Sequence, residues 1–251
     1  MSTNKNKNFH PVNYIGTSGW SFNHWKENFY PPKLKPTEWL DYYATHFSTV
    51  EVNTTFYHTP LLSTIDKWYS KVPEDFLFSI KANRYITHQK KLHDCSKSLE
   101  IFFINLENLK SKIGCILIQL PPSFKMNLDR LIEFIKLLEP SYKYTFEFRH
   151  SSWYVDEVYE ILKKNKIALC ITDLNGHLSP EVITSDFTYI RLHGPHKAYS
   201  GSYGTTKIKW WKKKIEQWNS ANISVYCYFD NDEKGFAIQD ARKMQELLKK
   251  D

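Results

Sequence analysis

Strand-like runs alternate with longer amphipathic stretches along the whole chain, and this alternation constrains the fold more than any other feature. Such alternation predicts parallel strands joined by crossover helices. Eight such units fit within the 251 residues, a length at which α/β barrels often form one domain. We therefore predict a TIM-type (β/α)8 barrel, a closed parallel sheet with outer helices. An open doubly wound sheet is the alternative.

The predicted elements follow from apolar periodicity and turn residues. The strands are Asn13–Thr17, Thr49–Asn53, Phe76–Lys81, Cys115–Gln119, Lys143–Arg149, Ile167–Asp173, Phe187–His193 and Ile223–Asp230. The helices are Thr37–Phe47, Leu61–Ser70, Ser96–Lys110, Asn127–Glu139, Val155–Lys164, Lys207–Asn219 and Phe236–Lys250. The segment after the sixth strand is short and weakly helical. Residues 1–12 are expected to form a disordered basic tail, and residues 13–251 a single barrel domain.

Several classes of protein are excluded at this stage. No apolar run approaches the roughly 20 residues that cross a bilayer, and the N-terminus lacks the apolar region of a secretory signal. The four cysteines are widely spaced without a CxxC pair, which is typical of a reduced, cytoplasmic protein. No GxGxxG or GxxxxGK[ST] loop follows the first strand, so no nucleotide cofactor is expected.

Polar side chains concentrate at the C-terminal ends of the predicted strands. Residues two apart in a strand face the same side, and this period places the polar members on the face that points into the barrel. Barrel active sites lie at that end. The mouth is predicted to hold Glu51, Asn53, Lys81, Gln119, Glu147, Arg149, Asp173, Arg191, His193 and Asp230.

Structural roles compete with catalytic ones at several of these positions. Glu147 and Arg149 could form an ion pair within one strand, because buried charges are usually paired. A residue of Asp230–Asp232 could cap the next helix, and His193 could brace the turn at Gly194. An inward Lys81 is the hardest to explain structurally, since a lysine beside carboxylates suits a tuned base or an anion contact.

Metal binding has weak support. The candidate ligands are Glu51, Glu147, Asp173, His193 and Asp230. However, the chain has no HExxH motif, and the set contains one histidine. A divalent metal therefore stays a secondary hypothesis.

An ordered series of motifs runs from Gly16 to about Ala241. The motifs are Gly16–Phe22 with Trp25 and Phe29–Pro31, Thr49–Asn53 with Thr55–Tyr57, Lys81 with Thr87-His88, Gln119–Phe124, Phe146–His150 with Trp153, Tyr189–Gly194, and Tyr228–Asp232 with Gly235–Ala237. Together they resemble domain-of-unknown-function family 72, the YecE-like family. The resemblance implies a TIM-type barrel but supplies no reaction. At Asp240-Ala241 this chain departs from the family's usual Asn-Ala.

The leading functional hypothesis is an enzyme that acts on a small anionic or polyhydroxylated substrate. Glu51 or Glu147 could act as general base, and the arginines could clamp a phosphate or carboxylate. The candidate catalytic residues are Glu51, Lys81, Glu147, Asp173, His193 and Asp230. The candidate substrate-binding residues are Ser18, Trp20, Trp25, Asn53, Tyr57, His88, Gln119, Arg149, Trp153, Arg191, Tyr203, Tyr228 and Asn231. Among these, the loop aromatics Trp20, Trp25, Tyr57 and Trp153 either stack on substrate or form a hydrophobic lid.

A rival hypothesis is nucleic-acid binding, with or without strand cleavage. The net charge is +7 and the sequence pI near 9.0. Basic residues interleave with aromatics at Lys209–Lys214, and the loop Tyr199–Tyr203 adds further aromatics, a composition that suits a single strand. Lysines on solvated helix faces explain the same charge without a partner. A binding barrel without turnover is the third reading.

Overall fold

The structure, a computed structural model, describes residues 10–249 of the chain. The strands are β1 (Asn13–Thr17), β2 (Thr49–Val52), β3 (Leu77–Lys81), β4 (Ile113–Gln119), β5 (Tyr144–Glu147), β6 (Ala168–Leu174), β7 (His177–Leu178), β8 (Phe187–Leu192) and β9 (Ser224–Phe229). All except β7 are parallel and pair in the order β1-β9-β8-β6-β5-β4-β3-β2. This order is that of a nearly closed eight-stranded barrel, so the predicted fold is confirmed. Residues 1–9 of the predicted tail lie outside the described residues.

Helices surround the barrel. They are α1 (Trp39–Ala44), α2 (Thr54–Tyr57), α3 (Leu62–Ser70), α4 (Ser96–Leu106), α5 (Leu128–Lys136), α6 (Asp156–Lys164), α7 (Gly204–Ser220) and α8 (Phe236–Leu248). A three-residue 3₁₀ segment, Pro36–Glu38, precedes α1, and a six-residue one, Glu107–Lys112, follows α4. The sequence predicted continuous helices at both places. The one-turn helix α2 was not predicted. The predicted last residue of the final helix, Lys250, lies outside the described residues.

The seam between β1 and β2 closes the barrel through a side chain. The hydroxyl of Tyr43, from α1, accepts the backbone N–H of Thr17 in β1 at 3.0 Å and donates to the carbonyl of Thr49 in β2 at 3.1 Å. A Cβ on Gly16 would lie 2.4 Å from that carbonyl oxygen. Glycine is required here because only a residue without a side chain permits this approach.

The prediction of a weakly helical segment after the sixth strand is wrong. β7 instead folds back on β6 as an antiparallel hairpin, in which Leu174 pairs with His177. The two loop residues, Asn175 and Gly176, have φ values of 54° and 72°. Asn-Gly is the strongest short hairpin signal because both residues tolerate positive φ. The segment therefore leaves one side of the barrel mouth without a crossover helix.

The buried side chains separate by the two-residue period of the strands. One set, including Ile116, Ile118, Ile190 and Leu192, packs in the cluster shared with the helices. The alternate set fills the barrel interior. It comprises Cys115, Leu117, Ala168, Cys170, Phe187, Tyr189, Tyr226 and Tyr228. The same alternation continues to the C-terminal ends of the strands, so the polar residues there also face the barrel interior.

No helix in residues 10–249 combines the length and the apolar character that a membrane crossing requires.

Candidate active site

A buried network of four side chains lies directly above the apolar barrel interior. Its members are Glu51, Glu147, Arg191 and His193, each at most 1% exposed. Arg191 stands two residues after the interior Tyr189 on β8, and Glu51 and Glu147 occupy inward positions near the ends of β2 and β5. The alternation that builds the interior therefore also delivers this network. We call these four residues the buried network.

Arg191 is the centre of the buried network. Its Nε and Nη2 donate to the carboxylate of Glu51 at 2.7–3.2 Å. Its Nη1 donates to Oε2 of Glu147 at 2.8 Å, and Nη2 also reaches Oδ2 of Asp230 at 3.2 Å. With its donors used inside the protein, Arg191 cannot clamp a substrate. It holds three carboxylates in fixed positions.

Glu51 has no free acceptor site for a catalytic proton. Besides the bidentate contact of Arg191, Oε1 accepts from the hydroxyl of Ser18 and Oε2 from that of Tyr189, each at 2.8 Å. A carboxylate held by four donors in a dry interior anchors its partners. The geometry therefore favours a positioning role for Glu51 and Ser18 over general base or substrate contact.

Glu147 is an ionised carboxylate between two guanidinium groups. Burial works against its charge, but Arg149 and Arg191 outweigh it and hold the pKa of Glu147 well below its ordinary value. Nε of Arg149 and Nη1 of Arg191 each donate to one of its oxygens. A carboxylate this acidic is a poor proton acceptor near neutral pH, which argues against Glu147 as general base.

The tautomer of neutral His193 follows from its neighbours. Nε2 lies 3.0 Å from Nη2 of Arg149 and 3.3 Å from Nη1 of Arg191, both obligate donors. Nε2 therefore carries the lone pair, and the proton resides on Nδ1, 2.9 Å from Oδ2 of Asp230. Burial and then the charge of Arg191 lower the pKa of His193.

A rim of partly exposed side chains lies above the buried network and faces the opening of the barrel. It consists of Asn53, Lys81, Gln119, Arg149 and Asp230. Oδ1 of Asn53 has no hydrogen-bond partner among the described residues. Gln119 is the register partner of Glu147 on the neighbouring strand. We call these five residues the rim.

Lys81 has an ammonium group that the described part of the chain leaves without an ion pair or hydrogen bond. Nζ lies 4.2 Å from the ring centroid of Phe56, a cation–π distance. Burial, followed by the charge of Arg191, lowers the pKa of Lys81 to about 8, while Glu147, Glu51 and Asp230 act in the opposite direction. A larger fraction of Lys81 than of an exposed lysine is therefore neutral near pH 7.

Arg149 is the arginine that remains available to a ligand. Its Nε is used by Glu147 and its Nη2 by His193, whereas Nη1 has no partner among the described residues. Its side chain is 12% exposed. The ion pair anticipated within this strand is therefore present, and it leaves one end of the guanidinium group facing the mouth.

His88 borders the rim from the segment after β3. Its ring stands 4.9 Å from that of Phe56, and its Nδ1 lies 2.9 Å from the hydroxyl of Thr87. Burial and then the charge of Lys81 lower the pKa of His88 to about 4. His88 is therefore neutral near pH 7 and adds no charge to the mouth.

The structure does not bring Asp173 to the mouth. In β6 it is Thr172 that pairs with the inward Arg191, so Asp173 falls on the opposite face. There it lies 3.6 Å from Nζ of Lys207 on α7. Burial raises the pKa of Asp173, with Lys207 opposing. The prediction that Asp173 faces inward is therefore wrong, because the inward position in β6 belongs to the preceding residue, Thr172.

Several predicted substrate-binding residues support the frame instead. Trp25 donates to the carboxylate of Asp232, and Trp153 to the carbonyl of Phe124; both tryptophans are fully buried. The hydroxyl of Tyr203 accepts the backbone N–H of Gly194 at 3.0 Å. Tyr228 and Asn231 are also held by hydrogen bonds within the protein. Tyr228 bonds to Thr49 and Ser79, and Asn231 bonds to Gly201 and Asp240.

The two other loop aromatics differ in exposure. Trp20 is partly buried, with its ring 5.6 Å from that of Trp68 and its carbonyl bonded to Tyr30. Tyr57 is 64% exposed and packs on Phe56. Tyr57 is therefore free to contact a ligand, whereas Trp20 mainly covers the apolar core.

Three residues that contact the site were not among the predicted site residues. Tyr189 holds Glu51, and its position two residues before Arg191 on the inward face is the signal that could have found it. Phe56 covers the ammonium of Lys81. Tyr199, 52% exposed, sets its ring edge-on to His193 with centroids 5.5 Å apart. No local pattern places Phe56 or Tyr199 at the mouth, because loop geometry brings both there.

In residues 10–249, no group of three or more His, Cys, Asp and Glu side chains is arranged to hold a metal ion. The five candidate ligands do not form such a group. Arg191 lies between Glu51, Glu147 and Asp230, and its guanidinium occupies the space that a cation shared by them would need.

A cleft of about 960 Å³ opens beside the rim. Its walls are the loops that follow β5 and β6, including His150, Tyr154 and His177, and it reaches Arg149 and Thr172. The cleft leaves open space directly beside Arg149.

Two of the four lysines in the segment Lys209–Lys214 of α7 pair with acidic side chains. Lys214 pairs with Glu181 at 2.8 Å, and Lys212 with Glu216 at 2.7 Å. Trp211 is fully buried, and Trp210 carries Lys207 and Lys214 over its ring. This face offers fewer unpaired cations than its sequence indicates.

Comparison with known proteins gives a family match over nearly the whole chain. Residues 14–251 match the family described as protein of unknown function DUF72. The chain is 26% identical to the UPF0759 protein YunF of Bacillus subtilis, over 94% of each chain. It is 32% identical to the UPF0759 protein YecE of Escherichia coli K12 over 56% of this chain and 50% of that protein.

Solved structures agree. The crystal structure of a DUF72 family protein from Thermotoga maritima is 31% identical, covers 95% of this chain and 100% of its own, and superposes with a TM-score of 0.84. One from Enterococcus faecalis, 21% identical with a TM-score of 0.82 over 96% of each chain, shares the fold.

Proposed function

This chain belongs to the DUF72 family of proteins of unknown function, and from that premise we propose that it is an enzyme acting on a small anionic substrate, with Lys81 as its acid–base group. The single observation that carries the proposal is the unpaired ammonium of Lys81 among charges that are otherwise paired. A partly buried cation without an ion pair costs free energy, so its retention supports a functional role.

The division between the buried network and the rim supports assigned roles. The buried network fixes the positions of Arg149 and Asp230 through His193 and Arg191. The rim then presents Lys81, Nη1 of Arg149 and the amides of Asn53 and Gln119 to a ligand. Lysine and arginine together suit a phosphate or carboxylate, and the cleft beside Arg149 suits the remainder of the molecule.

The proton chemistry follows from the pKa values. With a pKa of about 8, Lys81 can take up a proton in its neutral form and donate one as ammonium close to the working pH. Glu147 and Glu51, the carboxylates first considered as bases, are committed to arginines. Lys81 thus replaces them in this role.

Thermal unfolding in the presence of anions tests the proposal. The panel contains inorganic phosphate, sugar phosphates and small carboxylates, applied to wild type, Lys81→Met and Arg149→Gln. We expect at least one anion to raise the Tm of wild type, and each variant to weaken its affinity about tenfold or more, since each loses a charge-assisted contact. Lys97→Met, which removes an exposed charge from α4, is the matched control and should behave as wild type.

A Tm that no anion changes would contradict the proposal. The same conclusion follows if the anions stabilise Lys81→Met and Arg149→Gln as well as they stabilise wild type, because binding would then lie elsewhere.

A further inference from the structure

The surroundings of Lys81 favour reaction at its nitrogen atom as well as proton transfer. No carboxylate lies within 4.0 Å of Nζ among the described residues, and the face of Phe56 covers one side of it. A salt-bridged lysine would have to break its ion pair before it could attack an electrophile. Lys81 has no such pair to break, and apolar or cationic surroundings are the setting in which lysines act as nucleophiles.

The charges around Nζ are balanced rather than uniformly negative. Arg191 disfavours the protonated amine, whereas Glu51, Glu147 and Asp230 favour a positive charge at the same place. Such a site supplies some neutral amine and also stabilises a cationic product formed on that nitrogen. A permanently protonated lysine or a purely cationic pocket would meet only one of these requirements.

We propose that Nζ of Lys81 forms an imine with the carbonyl group of the substrate, and that the substrate is an aldehyde or ketone carrying a phosphate or carboxylate group. This inference rests on the proposed function, since the anionic group is the part that Arg149 would hold. It narrows the substrate class from small anions to anionic carbonyl compounds.

The step is balanced with solvent as the proton carrier. The ammonium of Lys81, whose pKa is lowered to about 8, first gives its proton to solvent. The neutral amine then attacks the carbonyl carbon: the C–N bond forms, the C–O π bond breaks, and a proton passes from nitrogen to oxygen. The C–O single bond breaks next, and the hydroxyl takes up a proton from solvent and leaves as water. Ammonium and carbonyl thus become iminium and water, with no change in total charge.

Reductive trapping tests the inference. Glyoxylate, a small anionic aldehyde, is incubated with the protein and sodium cyanoborohydride, and labelled lysines are identified by peptide mass. We expect Lys81 to be modified about tenfold faster than exposed Lys97, because more of its amine is neutral. Glycolaldehyde, a neutral aldehyde of the same carbon number, should lose most of that selectivity, because it offers no anion to Arg149.

Variants separate this inference from the proposed function. Lys81→Arg keeps the charge but cannot form an imine, so it should bind the anions that stabilise wild type and give no adduct at position 81. Arg149→Gln should reduce the preference for glyoxylate over glycolaldehyde. Uniform labelling of lysines, or no adduct at Lys81 while anions still bind, overturns the imine and leaves the acid–base proposal intact. If the wild-type protein binds none of the anions, both the imine and the acid–base proposal are overturned.

Discussion

At the residue scale, the arginines of the mouth have different tasks. Arg191 is 1% exposed and holds three carboxylates, whereas Arg149 keeps one end of its guanidinium for the opening. Charges this deeply buried persist only when every partner is present. The arrangement therefore makes the mouth rigid and also vulnerable to the loss of any one member.

Glu147→Gln tests that vulnerability. The change leaves Arg149 and Arg191 without the carboxylate that bridges them. We expect the free energy of unfolding to fall by about 3–5 kcal/mol, the usual cost of breaking a buried ion pair from one side. Chemical denaturation measures it. Glu133→Gln, which breaks an exposed pair with Lys136, is the matched control and should change stability little.

The pH dependence provides an independent check on Glu147. Its pKa is lowered on folding, so its contribution to stability is present above the unfolded pKa of about 4.3 and is lost as the pH falls further. The stability difference between wild type and Glu147→Gln should therefore shrink below about pH 4. A difference that stays constant from pH 7 to pH 3 would mean that the carboxylate charge is unimportant.

Strand periodicity predicted much of the site, and its errors have physical causes. Glu51, Glu147, Arg191 and Asp230 were found because a two-residue period fixes which face a side chain occupies. The prediction for Asp173 failed because a shift of one residue along a strand moves the side chain to the opposite face. The predicted ligand contacts of Trp25 and Trp153 failed because the sequence does not distinguish an aromatic loop residue that covers a core from one that covers a ligand.

At the scale of elements, the loop between β8 and α7 is tied to α8 by Asp240. Oδ2 accepts the backbone N–H of Tyr203 at 2.9 Å and Nδ2 of Asn231 at 2.7 Å, and Oδ1 accepts the hydroxyl of Ser202 at 2.9 Å. The loop carries Tyr199, so its anchoring affects the mouth.

Asp240→Asn and Asp240→Ala should separate hydrogen bonding from charge. An asparagine carbonyl can accept both N–H groups while its amide donates to Ser202, so we expect a change within about 1 kcal/mol. Alanine leaves buried donors unpaired and should cost about 2–4 kcal/mol. Denaturant unfolding measures both variants, and hydrogen exchange of the Tyr203 amide locates the effect. An asparagine variant as unstable as the alanine variant would show that the charge itself is needed.

The hairpin β7 shows what element-level prediction lacked. The Asn175-Gly176 dipeptide was a local signal that the expectation of a helix in every unit overrode. The barrel itself was predictable because eight alternations leave few topologies. The seam could not be predicted, since it depends on a hydroxyl of Tyr43 reaching between two strands that are adjacent only in the closed barrel.

At the scale of the whole molecule, the net charge of +7 leaves two partner classes to separate. A small anion needs a few convergent donors at one place, whereas a nucleic acid needs many unpaired cations spread along a surface. The rim meets the first requirement. The α7 face meets the second poorly, because Lys212 and Lys214 are paired with glutamates.

Titration with a single-stranded oligonucleotide at several salt concentrations measures this difference. A protein that neutralises Z phosphates of a single strand shows a log–log slope of about −0.7Z. With Lys212 and Lys214 engaged, we expect no more than about two phosphate contacts and a slope no steeper than about −1.4. Phosphate ions that stabilise the mouth should not compete with this weak binding. A slope several times steeper, whose magnitude falls by about 0.7 with each of Lys81→Met and Arg149→Gln, would instead place a nucleic acid in the barrel mouth, because each of these side chains would then neutralise one phosphate of the strand.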